Sequence, residues 1–387
     1  MYIIMWCTYQ LQGFLNIRGT ISQNLFVTLV ALSILITIYV VFTVKLSKYA
    51  KGLLGMLVLV TLYGGYSMFT RKYVVTLNYI QFSSFAYLQM FFRSILPFFV
   101  FYLITLKCQL SNNTILRCFF YFFVTYSLGF YELVFHNTWH AGELYGTFNI
   151  GYRIIGLIPM LYLLNLGKNT KLIVLVVLMA LVFISSKRGA ILTGVVLFFI
   201  YIRYTFKSLV FSTSKLVGTL FLFIILMAIL YNFAYDMFFQ SEGMQSKFYK
   251  TLEGDSNGRD DLYYLFFNYI LKMNSPSALL FGNGADSTLE IYGHYAHNDW
   301  LEIGMNQGLL GIAIYVIYWI CFYKEWRSNN AKTNFDACIF SIMVAYFLVS
   351  LFSMSINDMP HCVTFSLALA ITSKYKMKRK GCQIIKR

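Results

Sequence analysis

Long apolar runs, broken by short polar turns, recur along almost the whole chain. Runs near the ~20 residues needed to cross a bilayer lie at about 22–44, 52–70, 85–106, 116–135, 147–166, 171–186, 189–206, 216–235, 300–323, 335–354 and 359–374. They predict eleven membrane-spanning helices. Residues 1–17 are apolar and aromatic but short, with Gln10 and Gln12 inside, and read either as a twelfth span or as an interfacial helix. They hold no basic leader region and no small-residue cleavage site, so no secretory signal is expected. The pattern changes at about 236–299, a long mixed segment between two spans. There Asp255-Ser-Asn-Gly258 signals a turn, and Arg259 to Tyr269 reads as an amphipathic helix with acids in its first turn, where the dipole favours them. Pro276 ends that helix, and Gly282-Asn-Gly284 makes a second turn. No repeat, low-complexity tract or soluble domain boundary stands elsewhere, so residues 1–387 read as one polytopic membrane domain.

Composition agrees with the pattern. Hydrophobic residues make up 59% of the chain and charged ones 12%, against roughly 25% charged in soluble domains. The expected fold is an all-α integral membrane protein with 11–12 transmembrane helices and one large external loop containing a short helix. The net charge of +16 would suggest nucleic acid in a soluble protein. Here it reads as the positive-inside bias of a many-span protein, with a lipid bilayer and no nucleic acid as partner. Seven cysteines, an odd number without a CxxC pair, argue against a disulfide framework or a zinc site.

The basic tail from Lys374 to Lys380 sets the C-terminus in the cytoplasm. Counting back, most of the lysines and arginines fall in cytoplasmic segments, whereas of the 15 acids only Glu325 and Asp336 do. All five histidines (His136, His140, His294, His297 and His361) then lie on the external side, with the large loop. The chemistry is therefore expected at the outer membrane interface.

His297 opens the most informative stretch. His297, Leu301, Gly304, Gly308 and Gly311 are spaced 4, 3, 4 and 3 apart, so on one helix they share a face. Glycines there let another backbone approach closely. A plain packing face with a loop histidine above it is the competing reading of the spacing alone.

Arginines supply candidate anion ligands. Arg188 lies in the short turn Ser185-Ser-Lys-Arg-Gly-Ala190, where a fixed guanidinium fork suits a phosphate; headgroup snorkelling is the alternative. Arg259 follows a glycine turn and begins a helix, where free backbone N–H groups also favour anions; a solvated loop charge is the alternative. Arg93 lies about eight residues into a span, where an arginine costs at least ~2.5 kcal/mol and usually faces a cavity or partner. Arg153 is a fourth cation near the outer surface. Together the four would make a diphosphate site. Glu132, Glu143, Asp299, Glu302 and Asp358 could orient a histidine or accept a proton, against a solvated reading for each. No HExxH, GxSxG, Walker A or GxGxxG motif stands in the chain.

Three blocks, in order, resemble the O-antigen ligase and polymerase superfamily of bacterial envelope polysaccharide assembly. Ser186-Lys187-Arg188-Gly189-Ala190 resembles its Ser-Arg-Gly-Ala turn, with an extra lysine. Gly258-Arg259, Tyr263, Ser275-Pro276 and Phe281-Gly-Asn-Gly284 resemble its loop block, with tyrosine where tryptophan is common. His297-Asn298, Leu301, Gly308 and Gly311 resemble its His-Asn, Leu, Gly-x-x-Gly signature, and Gly146-Thr147-Phe148 is a weaker echo of a further block. The match is concentrated in residues 181–312.

The resemblance implies a fold like that of the multi-span glycosyltransferases that use lipid-linked sugars. It also implies a donor glycan on undecaprenyl diphosphate at the outer leaflet of a bacterial plasma membrane. The leaving group is already good, so arginines suffice to neutralise it, with no metal or cofactor. A histidine suits a sugar hydroxyl as general base. Arg188, Arg259 and His297 are the expected catalytic residues, with Arg153, Arg93, Asn298, His294 and Glu302 on the substrate. The first reading is a polysaccharide polymerase that extends the next lipid-linked repeat unit, with a flippase and a chain-length regulator as natural neighbours. A ligase acting on a lipid A core or protein shares the donor. A flippase for lipid-linked sugars would need polar groups spread through the midplane.

Overall fold

A computed structural model describes residues 1–15, 19–70, 75–77, 80–82, 84–135, 149–185, 187–205, 259–272, 275–293, 295–328, 333–355 and 360–384. The expected span at 216–235, the loop from 236 to 258, and His136, His140, Glu143, His294 and Asp358 lie outside the described residues.

The described chain is helical apart from one short antiparallel pair. In order come α1 (Tyr2–Phe14), α2 (Thr20–Thr43), α3 (Lys48–Thr70), β1 (Val75–Leu77), β2 (Ile80–Phe82), α4 (Ser84–Lys107), α5 (Asn112–Phe135) and α6 (Ile150–Ile155). These are followed by α7 (Lys168–Ile184), α8 (Arg188–Thr205), α9 (Arg259–Leu271), α10 (Pro276–Phe281), α11 (Ser287–Tyr292), α12 (Asp299–Arg327), α13 (Asn334–Phe352) and α14 (His361–Ile384). Among the described residues seven helices are long and apolar enough to cross a membrane: α2, α3, α4, α5, α8, α12 and α13. This is an all-α, multi-pass membrane architecture.

Two expected elements take a different form. The run 147–166 is not one helix: α6 ends after six residues and the chain continues through a turn into a 3₁₀ segment, Pro159–Tyr162. Pro159 has no N–H to give, and the backbone closes i→i+3 bonds instead, with Leu157 N on Ile154 O at 3.0 Å and Met160 N on Leu157 O at 3.1 Å. The N-terminal helix α1 has 13 residues, about 20 Å at 1.5 Å per residue. That is short of the ~30 Å hydrocarbon core and fits the interfacial alternative.

The chain divides into two compact units. Unit one comprises Met1–Phe26, Leu110–Asn257 and Thr333–Ala345. In it α1 packs on α5, and α6 packs on α5, α7 and α8. Gly151 of α6 lies against Ser185 and Ala190, so closely that a Cβ there would come 3.1 Å from the Ala190 methyl.

Unit two comprises Val27–Gln109, Gly258–Lys332 and Tyr346–Arg387. Here α3 packs on α12 and α4, and α4 packs on α14. One end is tied by buried polar groups. The Glu325 carboxylate accepts the Tyr49 N–H of α3 at 3.0 Å, and the buried Lys374 ammonium donates to the carbonyls of Glu325 and Trp326 at 3.0 Å each. Lys376 donates to the carbonyls of Thr105 and Cys108 at the end of α4. Both lysines thus satisfy carbonyls that helix ends leave without intrahelical partners.

Candidate functional site

The region around His297 is built by α9, α10, α11 and the first half of α12, all in unit two. Asn298 is the N-cap of α12: its side-chain oxygen accepts from Trp300 N at 2.9 Å and Leu301 N at 3.2 Å. A cap of this kind stabilises a helix start by about 1 kcal/mol. His297 therefore precedes the helix rather than lying on it. Its backbone is left-handed, with φ of 51°, and its side chain is exposed.

Non-local hydrogen bonds hold this unusual backbone. The Tyr263 hydroxyl of α9 lies 3.3 Å from the His297 carbonyl oxygen and 3.2 Å from that of Leu351, donating to one at a time. Asn298 Nδ2 also donates to the Leu351 carbonyl, at 3.2 Å. Beneath, Phe266, Ala296 and Met305 form a small buried cluster flanked by Leu262, Tyr269, Ile270, Tyr292 and Leu301.

Two buried carboxylates complete the brace. Glu302 is 4% exposed and accepts from Ala296 N at 2.5 Å, Thr288 Oγ1 at 2.8 Å and Asn306 Nδ2 at 3.3 Å. Asp299 is 3% exposed and accepts from the Ser355 N–H at 3.0 Å, the Ser355 hydroxyl and the Tyr315 hydroxyl at 3.1 Å. Buried polar groups need such partners. The sequence reading sets Glu302 on the substrate; its oxygens are instead taken by protein donors.

The helical face drawn through His297, Gly304, Gly308 and Gly311 is also interrupted. Gly308 has φ 64° and ψ −157°, and α12 breaks there. The freed carbonyls are met by the Gly282-Asn-Gly284 turn: Asn283 N donates to Met305 O at 2.9 Å and Gly284 N to Asn306 O at 3.0 Å. Close backbone approach does occur, as glycine at these positions predicts. A Cβ on Gly308 would lie 2.5 Å from Gly282 N, and one on Gly282 would lie 2.5 Å from Asn306 O.

The candidate arginines fall in two groups. Arg188 is exposed and opens α8 in unit one. Arg153, also in unit one, donates to Gln10 Oε1, with its guanidinium carbon 5.2 Å from the centroid of the Phe14 ring. The two blocks touch, through Gly151 on Ser185 and Ala190 and through Lys187 Nζ 6.0 Å from the Tyr152 ring. Arg93 and Arg259 belong to unit two. Arg93 is half-buried within α4, and Pro97 one turn on cannot donate to its carbonyl. Arg259 is the first residue of α9. Among the described residues, no three His, Cys, Asp or Glu side chains come together as a metal site.

Sequence reasoning missed Tyr263 as the donor to the His297 carbonyl, the Leu351 carbonyl that accepts from Tyr263 and Asn298, and Ser355, which donates to Asp299. The one available signal was Tyr263 itself, an aromatic at the place where the resemblance has one. Comparison of the chain with protein-family models and with curated proteins finds no match.

Proposed function

We propose that this protein is a glycosyltransferase that acts on polyprenyl-diphosphate-linked glycans at the outer face of a bacterial plasma membrane. Its product is a longer polysaccharide. The hydroxyl at the non-reducing end of one lipid-linked repeat unit attacks the anomeric carbon of the growing chain. A new C–O bond forms, the C–O bond to undecaprenyl diphosphate breaks, and the hydroxyl proton passes to His297. Arg188 and Arg259 neutralise the charge that grows on the departing diphosphate, with Arg153 and Arg93 in support. A flippase would supply the substrate, and a chain-length regulator would act beside the polymerase.

One observation carries the reading. His297 is an exposed imidazole on a left-handed backbone whose carbonyl accepts from Tyr263, and it is followed directly by Asn298, which is tied to the Leu351 carbonyl, and by the buried Asp299 and Glu302. A strained residue persists only where its surroundings over-determine it, and such strain clusters at functional positions. A backbone fixed in this way sets where the His297 side chain emerges, and an imidazole suits a general base. Arg188 and Arg259 open α8 and α9, helix starts at which anions are favoured.

The break in α12 favours a second reading, a transporter, because discontinuous helices form transporter binding sites. Against it, the Met305 and Asn306 carbonyls at the break are occupied by Asn283 and Gly284 N–H groups rather than left open for an ion.

The test is a reconstitution of purified protein with a synthetic undecaprenyl diphosphate repeat unit, in EDTA, with products separated on a gel. A ladder of regular spacing is expected. Product only after addition of a core-lipid acceptor would make the protein a ligase. Lipid-linked sugar crossing the bilayer with no product would make it a transporter.

A further inference from the structure

A concave pocket of about 650 Å³ lies in unit two, apart from the groups assigned above to the reaction. Tyr264, Asn268, Tyr269 and Lys272 line it from the α9 side, Asn283 from the glycine turn, and Tyr292 from the end of α11. The two sides of α9 have different work. Leu262, Phe266 and Ile270 recur every four residues and pack into the cluster beneath His297. Tyr264, Asn268 and Lys272 repeat at the same interval two positions on, which sets them on the opposite side of the helix.

The chemistry of the lining is specific. Tyr264 is 72% exposed. Tyr292 is held edge-on by Phe266 at 4.9 Å and Tyr269 at 5.7 Å. Burial, and then the neighbouring Tyr269, push the Tyr292 phenol above its ordinary range. Among the described residues the Asn268 carboxamide has no hydrogen-bond partner, and Asn283 uses only its NH₂, on the Met305 carbonyl at 3.4 Å. Rigid amphipathic rings beside unspent carboxamides match a sugar, which offers a C–H face to stack and a rim of hydroxyls to pair. Lys272 is the charged member of the lining.

We propose that this pocket is a binding subsite for an acidic oligosaccharide, with the tyrosines on its sugar rings, Asn268 and Asn283 on its hydroxyls and Lys272 on a carboxylate. That the bound chain is the protein's own polymer or acceptor rests on the glycosyltransferase reading. Tyr263, on the far side of α9, holds the His297 carbonyl, so the pocket stands about one helix diameter, ~10 Å, from it. Sugars gripped there lie beyond the bond being made and keep the chain in place between additions.

The test needs no turnover. Full-length protein in nanodiscs is titrated with two matched sets of fluorescent tetrasaccharides, one containing hexuronic acids and the other the same chains after carboxyl reduction. The acidic set binds more tightly. Tyr264→Ala weakens it about tenfold, and Lys272→Gln abolishes the preference for the acidic set. Both side chains are exposed, so thermal stability serves as the folding control. Binding of neither set, or binding that Tyr264→Ala leaves intact, overturns the subsite whether or not the protein makes polymer. Equal binding of both sets overturns its charge selectivity. Binding as expected, from a protein that makes no polymer, keeps the subsite and removes the polymerase reading.

Discussion

The Tyr263 hydroxyl stands 3.3 Å from the carbonyl oxygen of His297, so a helix 34 residues upstream fixes the backbone of the exposed imidazole. The contact is to the main chain, and the side chain of His297 is exposed. Tyr263→Phe keeps the ring packing and deletes this bond. It is expected to cost about 0.5–1.5 kcal/mol of stability and to lower the initial polymerisation rate several-fold. A shift in melting temperature alone, at full rate, would mean that the tyrosine serves the fold only.

Glu302 tests the brace from below. Glu302→Ala orphans the Ala296 N–H, the Thr288 hydroxyl and the Asn306 carboxamide, at about 1–3 kcal/mol for each buried group. The variant should express poorly or melt well below the wild type. Glu302→Gln retains one acceptor oxygen and should fold, with reduced activity. Equal melting temperatures for Ala and wild type in a thermal-shift assay would contradict the brace.

The break at Gly308 is equally open to test. Alanine there must adopt φ 64° and place its Cβ 2.5 Å from Gly282 N. That combination of φ and ψ is essentially confined to glycine and costs another residue about 1–3 kcal/mol, and the backbone overlap adds to it. Gly65 is the control: nothing lies within 4 Å of a Cβ at that position, and alanine in a helix is worth up to about 1 kcal/mol over glycine. Gly308→Ala should lower the melting temperature and Gly65→Ala should hold or raise it. Equal behaviour of the two would refute the break.

In unit one, Gly151→Ala drives a methyl into the Ser185 hydroxyl and against Ala190. It should displace the turn that carries Lys187 and Arg188. Loss of activity with a melting temperature within a few degrees of wild type would tie Arg188 to the reaction. An unchanged rate would show that the turn tolerates the shift.

Much of this organisation is legible in the chain because it is local. Apolar runs give α2, α3, α4, α5, α7, α8 and α13 within a few residues. The Asp-rich start after Gly258 gives α9 and Gly282-Asn-Gly284 gives the turn, whereas Pro276, expected to end α9, instead begins α10 behind the Ser275 cap. What escapes is non-local or two-valued. Gly308 fits a glycine packing face as well as it fits a break, and only the N–H groups of Asn283 and Gly284 decide between them. An acid at 302 reads equally as a ligand group or a brace, because its donors sit on Thr288, Ala296 and Asn306. Ser355 and Leu351 reach the His297 region from more than 50 residues downstream, a pairing that no spacing rule encodes. The break after α6 was within reach, since Pro159 cannot continue the hydrogen-bond ladder.

The most direct measurement compares wild type, His297→Ala and Arg259→Ala in proteoliposomes fed one synthetic undecaprenyl diphosphate repeat unit. Released undecaprenyl diphosphate and polymer length are read together. The account predicts stoichiometric release and a polymer ladder from wild type, in EDTA, with both falling at least a hundredfold in either variant. A full ladder from His297→Ala would contradict it, because the residue whose carbonyl accepts from Tyr263 would then take no part in the reaction.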